Sequence, residues 1–273
     1  LGGRFFIYDA YPYSFKEYLA AKQVKLKEHW EYDTIQRSEV KRHLNEYFYY
    51  GGLPEIPSFK NKRAMLSSLY QKIYLGDICA RNNIKNDRIL NILIKKMAES
   101  VKQPLSYNRL KNVIVATGSS ISVPTTIDYV DYATDSWLIL PMENEIGKLT
   151  EKEMQKKYYF VDNGLLNLFL MNSETSLLEN MVAVELCRQF GKKNVFFLSA
   201  EKEIDFIVPD VKLAIQVSYS IKEEATHNRE VAPLVKYSKT HEDWTCLLIT
   251  YDEEGAEEGI PVIPVWKWLM GKY

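Results

Sequence analysis

Four polar residues sit where they could meet: Glu179, Asp205, Gln216 and Ser218. Two carboxylates, an amide carbonyl and a hydroxyl are all hard oxygen groups, the donors a Mg²⁺-type cation prefers. Convergence depends on the elements that carry them. Thr175–Phe190 reads as a helix: Leu178, Val182, Leu186 and Phe190 recur at helical spacing, Glu179 projects from it, and Gly191 stops it. Asn194–Ser199 and Glu203–Val208 are rich in Val, Ile and Phe and read as strands. Lys212–Ser218 follows the turn signal Pro209-Asp210 and reads as a third. Alternation puts Glu203, Asp205 and Ile207 on one side of the second strand, with Ile204, Phe206 and Val208 on the other. On the third strand it groups Gln216 with Ser218 and sends Leu213, Ile215 and Val217 to the core.

The succession continues with an amphipathic helix near Thr226–Ser238 and a strand Trp244–Thr250. This αβββαβ order resembles the PD-(D/E)xK nuclease superfamily. The resemblance implies a helix Glu at 179, a strand Asp at 205 that would ligate Mg²⁺, and a Glu-x-Lys on the next strand. That last motif is Gln216-Val217-Ser218 here. Gln offers a carbonyl oxygen without charge, and Ser cannot supply an ammonium. A site stripped of one anion and one cation loses electrostatic stabilisation, usually the largest catalytic term. The expectation is a degraded nuclease-like site, unless a Lys enters from elsewhere. Lys212 and Lys222 are the candidates weighed for that role.

The 273 residues suffice for two domains or three small ones. Thirty-five Lys and Arg against 36 Asp and Glu give a net charge of −1, which argues against a globally basic nucleic-acid binder but not against a local patch. Cys79, Cys187 and Cys246 lie far apart in apolar settings, so neither a disulfide framework nor a zinc site is expected, and a reducing cytoplasm fits. His29, His43, His227 and His241 are scattered. No apolar run approaches a membrane span and no signal peptide is recognisable, so no membrane partner is expected.

Upstream, Ser14 with Glu17 has capping-box spacing for a helix from about Phe15 to Ala21. Thr34–Tyr50 reads as a helix ended by Gly51-Gly52-Leu53-Pro54-Glu55, and Asn61–Asn83 as one long helix. Gly3-Arg4, Tyr11–Leu19, Gly51–Glu55, Tyr158–Leu166, Leu178-Glu179-Asn180 and Glu203–Val208, in this order, resemble the C-terminal portion of bacterial and archaeal AAA-type ATPases. There a P-loop domain precedes a domain of unknown function. The chain has no G-x-x-x-x-G-K-[ST] and opens at Leu1 instead of Met. It is therefore expected to be a fragment whose missing partner is the N-terminal P-loop domain. No cofactor is expected in the fragment itself, and the resemblance implies ATP and Mg²⁺ for the full-length protein. Arg4 is either an arginine finger or a structural Arg at a strand end.

Asn86–Thr150 reads as a winged helix, with helices Asp87–Glu99, Ser106–Val115 and Ser122–Ser136 and a wing strand at Leu138–Met142. A DNA-reading third helix carries Arg, Lys, Asn or Gln, whereas this one carries Asp128, Asp131 and Asp135. Charge therefore does not support nucleic acid on that helix, and a protein partner fits it better. Lys156–Val161 reads as a strand, with Asp162 as cap of the following helix. The fold class expected is α/β, α+β overall. It divides as an ATPase-core tail at 1–20, a helical segment at 21–85, the winged helix at 86–150 and the nuclease-like unit at 151–273. Three functions follow: a non-catalytic accessory region of an ATPase, a Mg²⁺-dependent nuclease with rearranged residues, or a DNA-binding module without chemistry.

Overall fold

The computed structural model describes residues 8–85, 87–199 and 203–272. Helix α1 (Phe15–Ala21) begins at a full capping box between Ser14 and Glu17. Helix α2 (Thr34–Tyr50) is capped by Asp33 and ends at Gly51, whose φ of 74° suits glycine. Helix α3 (Lys62–Gln71) passes into a π-helical stretch, Lys72–Ala80, where one regular helix was expected.

Next come α4 (Arg88–Glu99), β1 (Leu105–Ser106), α5 (Tyr107–Ala116), α6 (Val123–Asp135), β2 (Ile139–Met142), α7 (Leu149–Met154) and β3 (Gln155–Phe160). The sheet order is β1-β3-β2, all antiparallel, so β3 is the middle strand of a three-stranded sheet. Asp128, Asp131 and Asp135 are exposed on α6. Between β2 and α7, Asn144 bridges to Phe197, while Glu145 N–H donates to the Phe197 carbonyl at 2.8 Å. This segment covers what would be an open sheet edge.

Helices α8 (Asn163–Leu166) and α9 (Glu174–Phe190) lead into β4 (Phe196–Ser199), β5 (Glu203–Val208), β6 (Leu213–Ser218), α10 (Glu224–Thr240), β7 (Thr245–Thr250), β8 (Gly255–Glu257), β9 (Ile260–Pro264) and α11 (Val265–Leu269). The acidic stretch 252–259 contains the short β8. The mixed six-stranded sheet runs β4-β5-β6-β7-β9-β8. Strands β6 and β7 are parallel, which obliges α10 to cross over the sheet between them. The chain is an α+β fold with a mixed sheet, as its sequence leads one to expect.

Helices α9 and α10 cover opposite faces of this sheet. Ile215, Val217 and Ile249 join the large core that includes α9. Ala214, Leu248 and the α10 residues Val231, Leu234 and Val235 form a second core. The alternation expected on β5 fails at its start. Ile204 and Ile207 both pack in the α10 core, because the β4–β5 register shifts between Phe196 and Leu198. A bulge of this kind re-aims the side chain beside it, and that side chain is Asp205.

Candidate functional site at the splayed strands

Strands β5 and β6 pair from Val208↔Leu213 to Phe206↔Ile215, and no further. Past that point side chains replace the backbone ladder. Asp205 N–H donates to Gln216 Oε1 at 3.2 Å, and Val217 N–H donates to Asp205 Oδ2 at 2.9 Å. Asp205 and Gln216 therefore satisfy the donors that the parting strands would orphan. Gln216 in turn donates from Nε2 to Glu230 Oε2, on α10, at 2.6 Å. The other Glu230 oxygen lies 2.6 Å from the Arg229 guanidinium.

The cation beside Asp205 comes from the three-stranded sheet. Lys157 and Tyr159 alternate onto one face of β3, and that face meets α9. Lys157 Nζ lies 3.2 Å from Glu179 Oε1, 3.5 Å from Asp205 Oδ1 and 2.9 Å from Glu203 Oε1, with its side chain 0% exposed. Tyr159 donates its hydroxyl to Glu179 Oε1 at 2.8 Å, and the Phe197 ring lies 5.6 Å from the ammonium. The neighbour of Glu179 fixes the strand itself. Asn180 accepts from Phe160 N–H at 2.7 Å and donates to the Phe160 carbonyl at 2.9 Å. The pair Glu179-Asn180 thus grips β3 by side chain and by backbone.

Burial disfavours a charged lysine, yet the carboxylates of Glu179, Asp205 and Glu203 outweigh it and hold the Lys157 ammonium above the ordinary lysine value. The Asp205 pKa is raised as well, but there burial favours the neutral form: burial and the charge of Glu179 push it well up, against the pull of Lys157 and the Val217 N–H. Three carboxylates around one ammonium leave a surplus of negative charge.

Glu179, Glu203, Asp205, Gln216, Ser218 and Glu230 line one cleft of about 950 Å³, and Lys157 lies enclosed beside its carboxylates. All four residues expected at the site reach it, although Gln216 points to α10 and not to Glu179. Ser218 donates to the Ser220 carbonyl at 2.9 Å. Of the two lysines considered, Lys222 lines the cleft, whereas Lys212 pairs with Asp243 outside it. Lys102, Lys222 and Arg229 are exposed around the opening. Arg4 lies outside the described residues. Among the described residues no group of three or more His, Cys, Asp and Glu has metal-holding geometry. Glu179 is 4% exposed, and the bonds from Lys157 and Tyr159 both fall on its Oε1.

Lys157 and Glu230 were missed by sequence reasoning. A lysine alternating with tyrosine on a buried strand was the signal for Lys157. Glu230 had none, because only the folded chain brings α10 over residue 216.

A second buried carboxylate closes β3. Asp162 caps α8 through Gly164 N–H at 2.8 Å and Leu165 N–H at 3.3 Å, as expected, and also accepts from Gly52 N–H at 2.7 Å. Burial pushes its pKa up to about 6, with these N–H groups pulling against it. A Cβ on Gly51 would lie 2.0 Å from Asp162 Oδ1. Only glycine allows this approach of α2's end to α8.

The sequence profile of a domain of unknown function, DUF8612, matches residues 41–176, which include Lys157 and Asp162. An uncharacterized protein of Methanocaldococcus jannaschii is 29% identical over 99% of this chain, and one of Haemophilus influenzae is 31% identical over 99%. The chain spans 64% and 66% of their lengths, just under two thirds. No solved structure matches. No helix among the described residues is long and apolar enough to cross a membrane.

Proposed function

We propose that the cleft is a divalent-metal-dependent phosphodiesterase site acting on nucleic acid, with its charged groups relocated along the sequence. The observation that carries this reading is the enclosed Lys157 ammonium beside Glu179 and Asp205, two carboxylates that line an open cleft. It supplies the cation that Ser218 lacks. Glu179 and Asp205 fit a Mg²⁺ ion, because such ions take one or two carboxylates and complete their shell with water and phosphate. Bound there, Mg²⁺ would polarise the phosphoryl group and acidify a water.

The chain's own residues do the rest. Lys157 and Tyr159 fix the Glu179 carboxylate. The Val217 N–H at one oxygen and Lys157 beside the other orient the Asp205 carboxylate. Lys102, Lys222 and Arg229 meet backbone phosphates, a sequence-independent attraction that weakens with salt. The acidic face of α6 takes no part.

A labelled oligonucleotide, single- or double-stranded, tests the reading with Mg²⁺ or Mn²⁺. The natural protein should cut it, and Asp205→Asn should cut at least about a hundredfold more slowly, the scale of a lost electrostatic group. Intact substrate with either metal would reject the reading.

A second reading has an observation of its own. Lys157 is fully enclosed and directs its contacts to carboxylates, so the ammonium stands where a metal would. The region is then a non-catalytic accessory part of an AAA-type ATPase, and the cleft a docking place for a protein partner. The relatives are longer than the matched stretch, which leaves room in them for a nucleotide-binding part.

A further inference from the structure

We infer that the cleft takes a single-stranded nucleic acid and that Tyr219 is the platform on which one of its bases stacks. The inference rests on the phosphodiesterase reading and names the substrate class of that site.

Glu179 and Asp205 are 4% and 6% exposed, so they lie recessed, while Lys102, Lys222 and Arg229 are exposed around the opening. A duplex is stiff on this scale, and its phosphates do not descend to a recessed floor. A single strand bends its backbone inward. A volume of about 950 Å³ is of the size that encloses a drug-sized ligand, and so a short run of nucleotides.

The rim cations come from separate elements. Lys102 stands on the loop after α4 and donates to Thr175, at the start of α9, at 3.0 Å, whereas Lys222 follows β6. Neither lysine pairs with a carboxylate among the described residues. Glu230 is taken up by Arg229 and Gln216, and Glu203 by Lys157. The two lysines are thus left for phosphates. Tyr219 is the one aromatic residue among the described residues that line the cleft. Half-buried, it stacks its ring on Tyr251 at 4.8 Å and 24°, and Tyr251 packs edge-on against Phe48 at 5.1 Å. The chain beyond it is pinned by Glu253, which accepts from the Ser220 hydroxyl and from Ile221 N–H at 2.9 Å. The ring is therefore fixed before a base arrives. Every base has a π-face, so cations beside a fixed ring bind single strands without reading sequence.

Fluorescence anisotropy with a short labelled oligothymidylate, and with a duplex of the same length, tests this at low salt in EDTA, where no strand is cut. The single strand should bind at least about tenfold more tightly, since a duplex must first unpair. Tyr219→Leu keeps apolar bulk over Tyr251 and removes the ring. It should weaken single-strand binding at least about fivefold, the scale of one stacked base, and Tyr219→Phe should recover most of that loss. Melting curves confirm that each variant is folded. Lys222→Gln, an exposed change that spares the fold, should weaken the single strand and flatten its salt dependence. Unchanged single-strand affinity in folded Tyr219→Leu, an unchanged salt slope in Lys222→Gln, a duplex bound as tightly as the single strand, or no binding of either would overturn the inference. Cleavage with Mn²⁺ separates it from the reading beneath it. A protein that cuts both substrates alike, with or without the Tyr219 ring, keeps the phosphodiesterase reading and loses the platform. Single-strand binding that depends on the ring, with no cleavage in Mn²⁺, rejects the phosphodiesterase reading and leaves the platform standing.

Discussion

Two buried carboxylate centres sit at opposite ends of the same strand, β3, and they are built on opposite principles. At Asp162 the donors are backbone N–H groups from Gly52, Gly164 and Leu165. They are neutral, local to two turns, and leave no space: added Cβ atoms at Gly51, Gly52 and Gly164 would all collide. At Asp205 the donor is largely an ammonium from a distant strand. It is shared by three carboxylates, which line a cleft of about 950 Å³. The first centre satisfies its carboxylate and closes. The second keeps a surplus of negative charge at an opening. Burial raises both aspartates, so a shifted pKa does not tell a joint from a site. What separates them is whether the surrounding charge balances and whether a ligand can enter.

The largest expected effect strikes the second centre. Lys157→Met leaves Glu179, Asp205 and Glu203 facing one another without their cation. Breaking a buried ion pair from one side costs about 3–5 kcal/mol, and urea denaturation should show a loss of that size. Adding Asp205→Asn to the same chain should recover part of it. A loss below about 1 kcal/mol, within the range of exposed pairs, would erase the contrast between the two centres.

At the Asp162 centre the effect is one of pH. The folded pKa of about 6 lies above the unfolded value of 3.8, so between these values the folded state binds the proton more tightly. Stability from this group is greatest below about pH 4 and falls as pH rises to about 6, by about 3 kcal/mol. Asp205 shifts in the same direction, so Asp162→Asn should flatten only part of the slope in denaturation midpoints between pH 4 and 7. A slope unchanged by Asp162→Asn would mean that its N–H donors balance the charge fully.

Gly51→Ala should be smaller, at about 2 kcal/mol, combining a positive φ with a clash against the Asp162 carboxylate. The opening temperature should drop without any change in metal binding, since the closed centre and the cleft are separate. If Mn²⁺ affinity fell as well, the two centres would be one coupled unit.

Much of this architecture was legible in sequence. Helical periodicity located α9, the capping box located α1, and period-two runs located β5, β6 and β7. Asp162 read correctly as a cap because its partners Gly164 and Leu165 are neighbours in the chain. Its bond to Gly52 spans 110 residues, and periodicity carries no information over that distance. The same limit hid the site's cation. Ser218 lies on the strand where a lysine was sought, whereas Lys157 arrives from another sheet, held there by Asn180. The bulge in β5 was invisible as well, since alternation assumes an unbroken register. Gln216 read as a lost charge. In the fold it is an amide matched to a carboxylate on α10.

On the proposed reading, Asp205 and Glu179 hold a divalent cation in the cleft. Ligand that binds only the folded state stabilises it by mass action, by about 2.7 kcal/mol at a hundred times its Kd. Denaturation of the natural protein and of Asp205→Asn, each with and without Mn²⁺, measures this directly. The natural protein should show a Mn²⁺-dependent gain in stability, and Asp205→Asn should abolish it. No gain in the natural protein, or an equal gain in both, would contradict that reading.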